Sequence, residues 1–370
     1  MKKRKVRFMI NSLTGGGAEK VLIDLLHQLD ESMYELELLS ITGGVHEKEV
    51  PSYVKYRSIC SGRFAKVKNI ACRILYKLPP KIFASLYLRG TCDLEVAYLE
   101  GMPTRFVAAS KSKRKIAFVH CDISQKNIIA PYYKNKEVCL KEYQSFSKVC
   151  FVSKQAKTGF ESTVGNLENS IVVHNIVNFD KIRELAKQKT EIQFQTEGIK
   201  LVTVGRLTEQ KGYERLIRIV GELEKKYNFQ LLIVGEGEER PGLEKILAEN
   251  QIQSVKLVGF HKNPYAIMCQ ADMFVCSSLF EGYSTVVTEA IALGMPVITT
   301  DCAGMDEILE HGNYGVIVPN SEESLYDGLE NLLKVKEKME NLKIQAKKRS
   351  EQLNNASARR EYEMLFGEQD

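Results

Sequence analysis

No apolar run in these 370 residues approaches the ~18–20 positions of a membrane-spanning helix. The basic start, MKKRKVRFMINSL, carries too short an apolar stretch for a signal peptide and reads as a first strand with a basic tip. Paired cysteines are missing as well. The nine cysteines stand singly, with no C-x-x-C, which argues against zinc and against a disulfide framework and suggests a reducing compartment. There is no G-x-x-x-x-G-K-[ST], hence no P-loop. LLIVGEGEER (231–240) offers only G-x-G-x-x-R, and its three glutamates would repel a pyrophosphate, so dinucleotide binding is excluded there. Tyr132 and Lys136 form a Y-x-x-x-K, but no glycine fingerprint near the N-terminus accompanies it, and coincidence accounts for it. Short repeats and low-complexity segments are lacking too.

What is present is a globular composition, with 44% hydrophobic and 27% charged residues. The length exceeds one ordinary core, so two domains are expected. Charge divides the chain in the same way. Residues 1–178 hold 28 Lys/Arg and 16 Asp/Glu, a net +12; residues 179–370 hold 24 and 31, a net −7. Opposite signs suggest domains with different partners. Strand-like runs alternate with helical ones in both halves: KVRFMINSL, YELELLS, LEVAYL, KIAFVH, KVCFVS and SIVVHN, then IKLVTVG, FQLLIVG, VKLVGF, ADMFVCS, MPVITT and YGVIVP. Such alternation implies parallel sheets. The boundary falls near Ile176–Phe179, giving domains at 1–176 and 177–351, with 352–370 returning to the first. Asn320-Ser-Glu-Glu323 resembles a capping box that opens one helix running on through LLKVKEKMENL.

Four stretches carry candidate chemistry. EGYSTVVTE sets Glu281 and Glu289 eight residues apart, between a buried strand and a helix with Ser284 or Thr285 at its N-cap and Gly294 past its end. The pair would lie about 80° apart in angle with roughly 12 Å of rise, too far to chelate one ion but suited to two ends of one long ligand. Acidic residues opposing a helix dipole are the plainer alternative. VGRLTEQKG places Arg206 and Lys211 just past a strand end; a guanidinium fork and a point charge suit a diphosphate, unless both are solvated surface cations. GGGAE, with Gly15, Gly16 and Gly17, opens a helix and either cradles an anion or makes a tight turn. KIAFVHCDIS ends a strand at His120, with Asp122 two residues on; a strand-end histidine is a candidate reaction-centre group. His174, at the domain boundary, reads as a hinge or packing residue.

Together these pieces resemble glycosyltransferase family 4, the retaining GT-B enzymes of bacterial polysaccharide and glycolipid synthesis. The matching segments are GGGAEKV, FVHCD, VHNIVN, VGRLTEQKG, VGEGEER, LVGF and EGYSTVVTEAIALGMPVITTDCAGMDEI, in the expected order along nearly the whole chain. The family pattern often has Phe or Leu-Pro after Glu-Gly, where this chain has Tyr283-Ser284. The resemblance implies an α/β protein of two Rossmann-like domains facing across a cleft, the first for the acceptor and the second for a nucleotide sugar, with UDP the expected nucleotide. It implies that Arg206 and Lys211 grip the diphosphate and that Glu281 bonds the hydroxyls of the donor sugar. Gly282, Tyr283 and Ser284 would touch sugar and phosphate, and Glu289 the ribose. Gly16 and Gly17 would close on the donor phosphates, and His120 would lie near the transferred sugar. The reaction implied is transfer of a hexose or N-acetylhexosamine to a lipid-linked, polymeric or cell-wall saccharide, with retention.

No D-x-D is present, so leaving-group stabilisation falls to cations and helix amides, and neither metal nor cofactor is expected. A membrane surface is the second expected partner. Residues 50–92 contain nine Lys/Arg and no Asp/Glu. Phe64, Val67, Ile70, Ala71, Ile74, Leu75 and Leu78 fall on one helical stripe, edged by Arg63, Lys66, Arg73 and Lys77, and a helix packed on its own domain is the alternative. Lys111, Lys113, Arg114 and Lys115 add to the charge. The enzyme is therefore expected in the cytoplasm, peripheral on the inner face of the cell membrane. A GT-B nucleotide-sugar hydrolase or epimerase is the rival within enzymes. A nucleic-acid-binding protein is disfavoured, because no aromatics interleave with the basic residues and no such motif is present.

Overall fold

The computed structural model describes residues 3–60, 75–353 and 355–367. The expected stripe at Phe64–Ile74, with Arg63, Lys66 and Arg73, lies outside the described residues. Contacts divide the chain into Met1–Ile176 with Ala356–Asp370, and Val177–Asn355.

The first unit is a seven-stranded sheet: β1 (Arg4–Ile10), β2 (Tyr34–Thr42), β3 (Lys55–Cys60), β4 (Leu94–Ala97), β5 (Lys115–Val119), β6 (Lys148–Phe151) and β7 (Ser170–Val172), in spatial order 3-2-1-4-5-6-7. All its pairings are parallel. Alternation along β1 feeds two cores. Val6, Phe8 and Ile10 enter one, with Leu22, Leu25 and Leu26 of the Gly17–Gln28 helix; Met9 enters the other, with Phe83 and Phe106. The C-terminal helix, Asn355–Gly367, completes the first core with Tyr362, Leu365 and Phe366. Arg114 donates to the carbonyls of Phe366 (3.1 Å) and Leu365 (2.6 Å), and Arg4 to that of Gly367 (3.0 Å), so two cations satisfy its last carbonyls.

The second unit repeats the plan with β8 (Ile199–Val204), β9 (Phe229–Val234), β10 (Val255–Gly259), β11 (Met273–Cys276), β12 (Val297–Thr300) and β13 (Val316–Val318), in order 10-9-8-11-12-13, again all parallel. Both orders are those of Rossmann-like sheets. Met273 and Val275 serve one core while Phe274 and Cys276 serve the other. The helix expected to continue from Glu322 is two. Ser321 caps Glu322–Lys334 through the Ser324 amide; Val335 is extended (φ −113°, ψ 90°), and Lys336–Gln352 starts afresh. Among the described residues no helix is long and apolar enough to cross a membrane.

Of the basic segment, Leu75 is buried and Leu78 packs on the first unit's core, so this end of the stripe is core-facing. Tyr76 (40%), Ile82 (47%) and Leu86 (44%) are exposed large apolar side chains, Ile82 and Leu86 one turn apart on the Pro80–Tyr87 helix.

Candidate functional site

The second sheet reverses direction at β8, with β9 and β10 to one side and β11 to β13 to the other. Ligands of open parallel sheets bind outside the carboxyl ends of strands at such a switch point. The loops leaving β8 and β11 there carry Arg206 and Lys211, and Glu281 to Ser284.

Lys211 Nζ lies 2.6 Å from Glu281 Oε1, and the Ser278 hydroxyl donates to the same oxygen at 2.7 Å. Glu281 is 7% exposed, and among the described residues its Oε2 takes no hydrogen bond. Burial by itself would lower the Lys211 pKa; the adjacent carboxylate outweighs burial and holds the lysine above its ordinary range. The two residues to which the sequence assigns separate tasks thus form one pair. Arg206 is exposed and makes no ion pair among the described residues, which leaves it the uncommitted cation.

The loop between β11 and Glu281 is strapped to the loop after β8. Leu279 N donates to Gln210 O (2.8 Å), Gln210 Nε2 to Phe280 O (3.0 Å), and Ser277 Oγ to Lys211 O (2.8 Å). The approach requires glycine at 212, where φ is +61° and a Cβ would stand 2.3 Å from Ser277 O. VGEGEER closes the other flank by backbone bonds: Leu207 N donates to Glu236 O (2.9 Å) and Glu239 N to Leu207 O (3.0 Å).

Ser284 stands at the N-cap of the Thr285–Ala292 helix, but its hydroxyl makes no capping bond and is buried without a partner. A buried hydroxyl left so is costly unless a ligand satisfies it. Gly304 lies beneath Gly282 and Tyr283; at φ +81°, a Cβ there would meet Tyr283 Cα at 2.8 Å. Glu289, on the first turns of that helix, is 2% exposed.

In the first unit the donors of the equivalent loop, after β1, turn inward to Glu19. The Gly16 amide, expected to face a phosphate, donates to Glu19 Oε2, while Ser12 Oγ (2.6 Å) and Thr14 Oγ1 (3.4 Å) reach Oε1. Gly17 begins the helix. His120 follows β5; its amide donates to Glu100 Oε2 (3.0 Å), and its ring packs on Tyr98 with centroids 4.9 Å apart. Both ring nitrogens are buried without a partner in hydrogen-bond geometry. Burial, only partly offset by the Tyr98 backbone, holds its pKa at about 3, so the imidazole is neutral near pH 7. Asp122 caps a turn, accepting from Ser124 N (2.9 Å) and Oγ (2.7 Å). The His174 carbonyl accepts from Tyr362 (3.3 Å), a packing contact.

Sequence reasoning missed Glu19, Ser278, Gln210 and Arg215. Of these, Arg215 left a trace: it sits beside Leu216, Ile217 and Ile219 on the buried side of its helix, where a solvated arginine does not belong.

Comparison with known proteins matches this fold. The family profile "Glycosyl transferases group 1" matches residues 184–349. An uncharacterized glycosyltransferase, MJ1059 of Methanocaldococcus jannaschii, is 33% identical over 220 residues, 54% of each chain. An N-acetylgalactosamine-N,N'-diacetylbacillosaminyl-diphospho-undecaprenol 4-alpha-N-acetylgalactosaminyltransferase of Campylobacter jejuni is 27% identical over 346 residues, 89% of this chain and 90% of the other. Among solved structures, Anabaena Alr3699/HepE in complex with UDP and glucose has a TM-score of 0.75 at 17% identity, covering 99% of this chain and 100% of that one. The lipopolysaccharide-biosynthesis glycosyltransferase WaaG has a TM-score of 0.71 at 16% identity, with 98% and 99% covered. Residues 184–349 thus carry the group 1 glycosyl transferase signature, and the two parallel sheets have the GT-B fold of these solved structures.

Proposed function

We propose that this chain is a family 4 glycosyltransferase that transfers a hexose or N-acetylhexosamine from a UDP-sugar to a lipid-linked saccharide, polysaccharide or cell-wall acceptor, with retention at the anomeric carbon. The observation that carries the reading is the grouping of Arg206, the Lys211–Glu281 pair and the orphaned Ser284 hydroxyl at the switch point of the second sheet. UDP accompanies glucose in the Anabaena neighbour, and the Campylobacter relative's name gives a diphospho-undecaprenol acceptor and an α linkage. Synthesis of a glycolipid or polysaccharide is the setting that the Campylobacter relative's lipid-linked acceptor and the lipopolysaccharide enzyme WaaG support.

The difficult part of the reaction is departure of a nucleoside diphosphate with growing negative charge. Arg206 and Lys211 supply fixed positive charge, and the amides opening the Thr285–Ala292 helix, with the Ser284 hydroxyl, supply donors. Gly282 and Tyr283 set the approach of sugar to phosphate. Glu281 Oε2 accepts from a donor-sugar hydroxyl, and Glu289 accepts from the ribose hydroxyls. His120 is assigned a part in turnover, not in nucleotide binding. The Gly16–Gly17 turn is given no part, because Glu19 fills it. Attack from the leaving-group face through an oxocarbenium-like state accounts for retention without a carboxylate nucleophile. These groups replace a metal, so turnover is expected to survive EDTA; abolition with rescue by manganese would overturn that.

Turnover of UDP-glucose, UDP-galactose and their N-acetylamino counterparts, with and without a polyprenyl-diphosphate saccharide, tests the reading. Acceptor-dependent UDP release with an α-linked product is expected. Equal release of free sugar with and without acceptor would instead mark a hydrolase. The second proposed partner is an anionic membrane, held by Tyr76, Ile82, Leu86 and the lysines beside them, Lys77 and Lys81, on the inner face of the cell membrane. Salt-sensitive co-sedimentation with anionic but not neutral vesicles is expected, and Lys66, Arg73 and Lys77 reversed together to Glu should abolish it. Vesicle binding by a folded triple variant would overturn this part.

A further inference from the structure

Arg215 is the cation that the reading above leaves unused. It sits in the Tyr213–Leu223 helix, is 8% exposed, and has no carboxylate partner among the described residues. A buried guanidinium is costly to hold, and an apolar side chain of similar length would fill the same space. Its donors go instead to one place. Nε and Nη2 donate to Ser277 O at 3.0 and 2.6 Å, and Nη2 to Ser278 O at 2.8 Å and Thr300 Oγ1 at 3.5 Å.

The Ser278 carbonyl is held from three sides. Thr300 Oγ1 donates to it at 2.6 Å and Cys302 Sγ at 3.2 Å; burial pushes the Cys302 thiol up to about 12, so it keeps the proton it donates. The next two carbonyls are also taken, Leu279 O by Asn320 Nδ2 (2.8 Å) and Phe280 O by Gln210 Nε2 (3.0 Å). Four successive carbonyls between β11 and Glu281 therefore accept bonds from the scaffold, and Arg215 serves the first two. With the backbone of Ser278 immobile, its hydroxyl has a fixed origin from which to reach Glu281 Oε1. That hydroxyl and Lys211 both use Oε1, which leaves Oε2 as the open face of the carboxylate.

We infer that Arg215 is a positioning residue for the reaction, holding the Ser277–Ser278 turn so that Ser278 orients the Glu281 carboxylate toward the donor sugar. The inference rests on the proposed role of Glu281. It explains why the Gln-Lys-Gly sequence must end in glycine, since a Cβ on Gly212 would lie 2.9 Å from Arg215 Nε as well as against Ser277 O.

The test is a double-mutant cycle on the full chain, with the UDP-sugar that gives turnover and UDP itself as the binding probe. Arg215→Lys keeps the charge and loses the fork. Its kcat is expected to fall about tenfold or more, with the donor KM and UDP affinity within about twofold of wild type. In a Glu281→Gln background the same substitution is expected to change kcat by less than about twofold, because it acts through the carboxylate already lost. Additive losses, or wild-type kcat in Arg215→Lys, would overturn the inference and leave Arg215 a part of the fold only. Wild-type turnover in Glu281→Gln alone would overturn the functional reading, and the inference with it, so the two failures are distinct. Should Arg215→Lys fail to fold by circular dichroism, Thr300→Val takes its place in the cycle. It removes another donor from the Ser278 carbonyl, a loss of about threefold is expected in the wild-type background and none with Glu281→Gln, and any other pattern counts against the inference.

Discussion

The loop leaving β1 in the first unit and the loops leaving β8 and β11 in the second stand at equivalent places, the carboxyl ends of strands where a parallel sheet reverses its order. In the first, a hydroxyl pair and a glycine amide converge on Glu19, and the buried orphan there is Asn11 Oδ1, just past the end of the strand. In the second, Arg206 is uncommitted, the Ser284 hydroxyl is buried without a partner, and one oxygen of Glu281 is open. The same topology therefore yields one loop whose donors turn inward to its own carboxylate and one loop that keeps a cation, a hydroxyl and a carboxylate oxygen for a ligand. Fold alone does not separate them; the hydrogen-bond accounting does.

The largest effect should distinguish the two cations of the second unit. Lys211→Met leaves the buried Glu281 carboxylate without its counter-ion, and a loss of about 3–5 kcal/mol of stability is expected. Arg206→Met removes an exposed, unpaired charge and should leave the melting temperature unchanged while weakening UDP binding. Equal melting temperatures for the two variants would break the pairing on which this contrast stands.

Next comes the contrast between carboxylates. Glu281→Gln is expected to lower kcat about a hundredfold with UDP affinity nearly intact, as for a group that acts on the reacting sugar. Glu19→Gln should leave kcat within about threefold and instead cost about 1–2 kcal/mol of stability, since it loses charged hydrogen bonds that only tie a loop. A Glu19 variant as slow as the Glu281 variant would mean that both loops serve the reaction. Glu289→Ala sharpens the second unit further. UDP titration should show about 1.5–3 kcal/mol lost with one charged partner, and unchanged affinity would remove Glu289 from the ribose.

The sheets were legible because buried parallel strands read as short runs of Val, Ile, Leu and Phe, and these runs recur in β1, β5, β8, β9 and β12. Arg206, Lys211 and Glu281 were legible as residues just past strand ends, which is where the structure has them. Their partnership was not, because seventy residues separate Lys211 from Glu281 and pairing depends on which strands become neighbours; β8 lies beside β11. The break at Val335 left no mark either, since a valine carries neither of the usual stop signals and the Lys-rich pattern runs through it. Glu19 carries no signal in the sequence beyond closing GGGAE, yet three loop groups that could have served a phosphate turn to it. Arg215 is marked in the sequence only by its apolar neighbours; the position of Ser277 and Ser278 shows what it serves.

The smallest expected effect tests the first unit by pH. His120 is neutral in the folded protein because burial holds its pKa at about 3, whereas in the unfolded chain it titrates near 6.5. Its folded pKa is depressed, so below about pH 6.5 the unfolded chain binds the extra proton. The stability it contributes is complete above that pH and declines as pH falls through 6.5 toward 3. The neighbouring Glu100 works in the opposite direction, since burial raises its pKa and the folded state takes up its proton first. A comparison between wild type and His120→Asn keeps Glu100 in both and isolates the histidine. Between pH 7 and 5.5, wild type should lose about 1 kcal/mol more unfolding free energy than the variant, measured by denaturant titration. Parallel curves would mean that the imidazole reaches water or a partner in the folded state, and the contrast between a neutral strand end in the first unit and a charged one in the second would fail at His120.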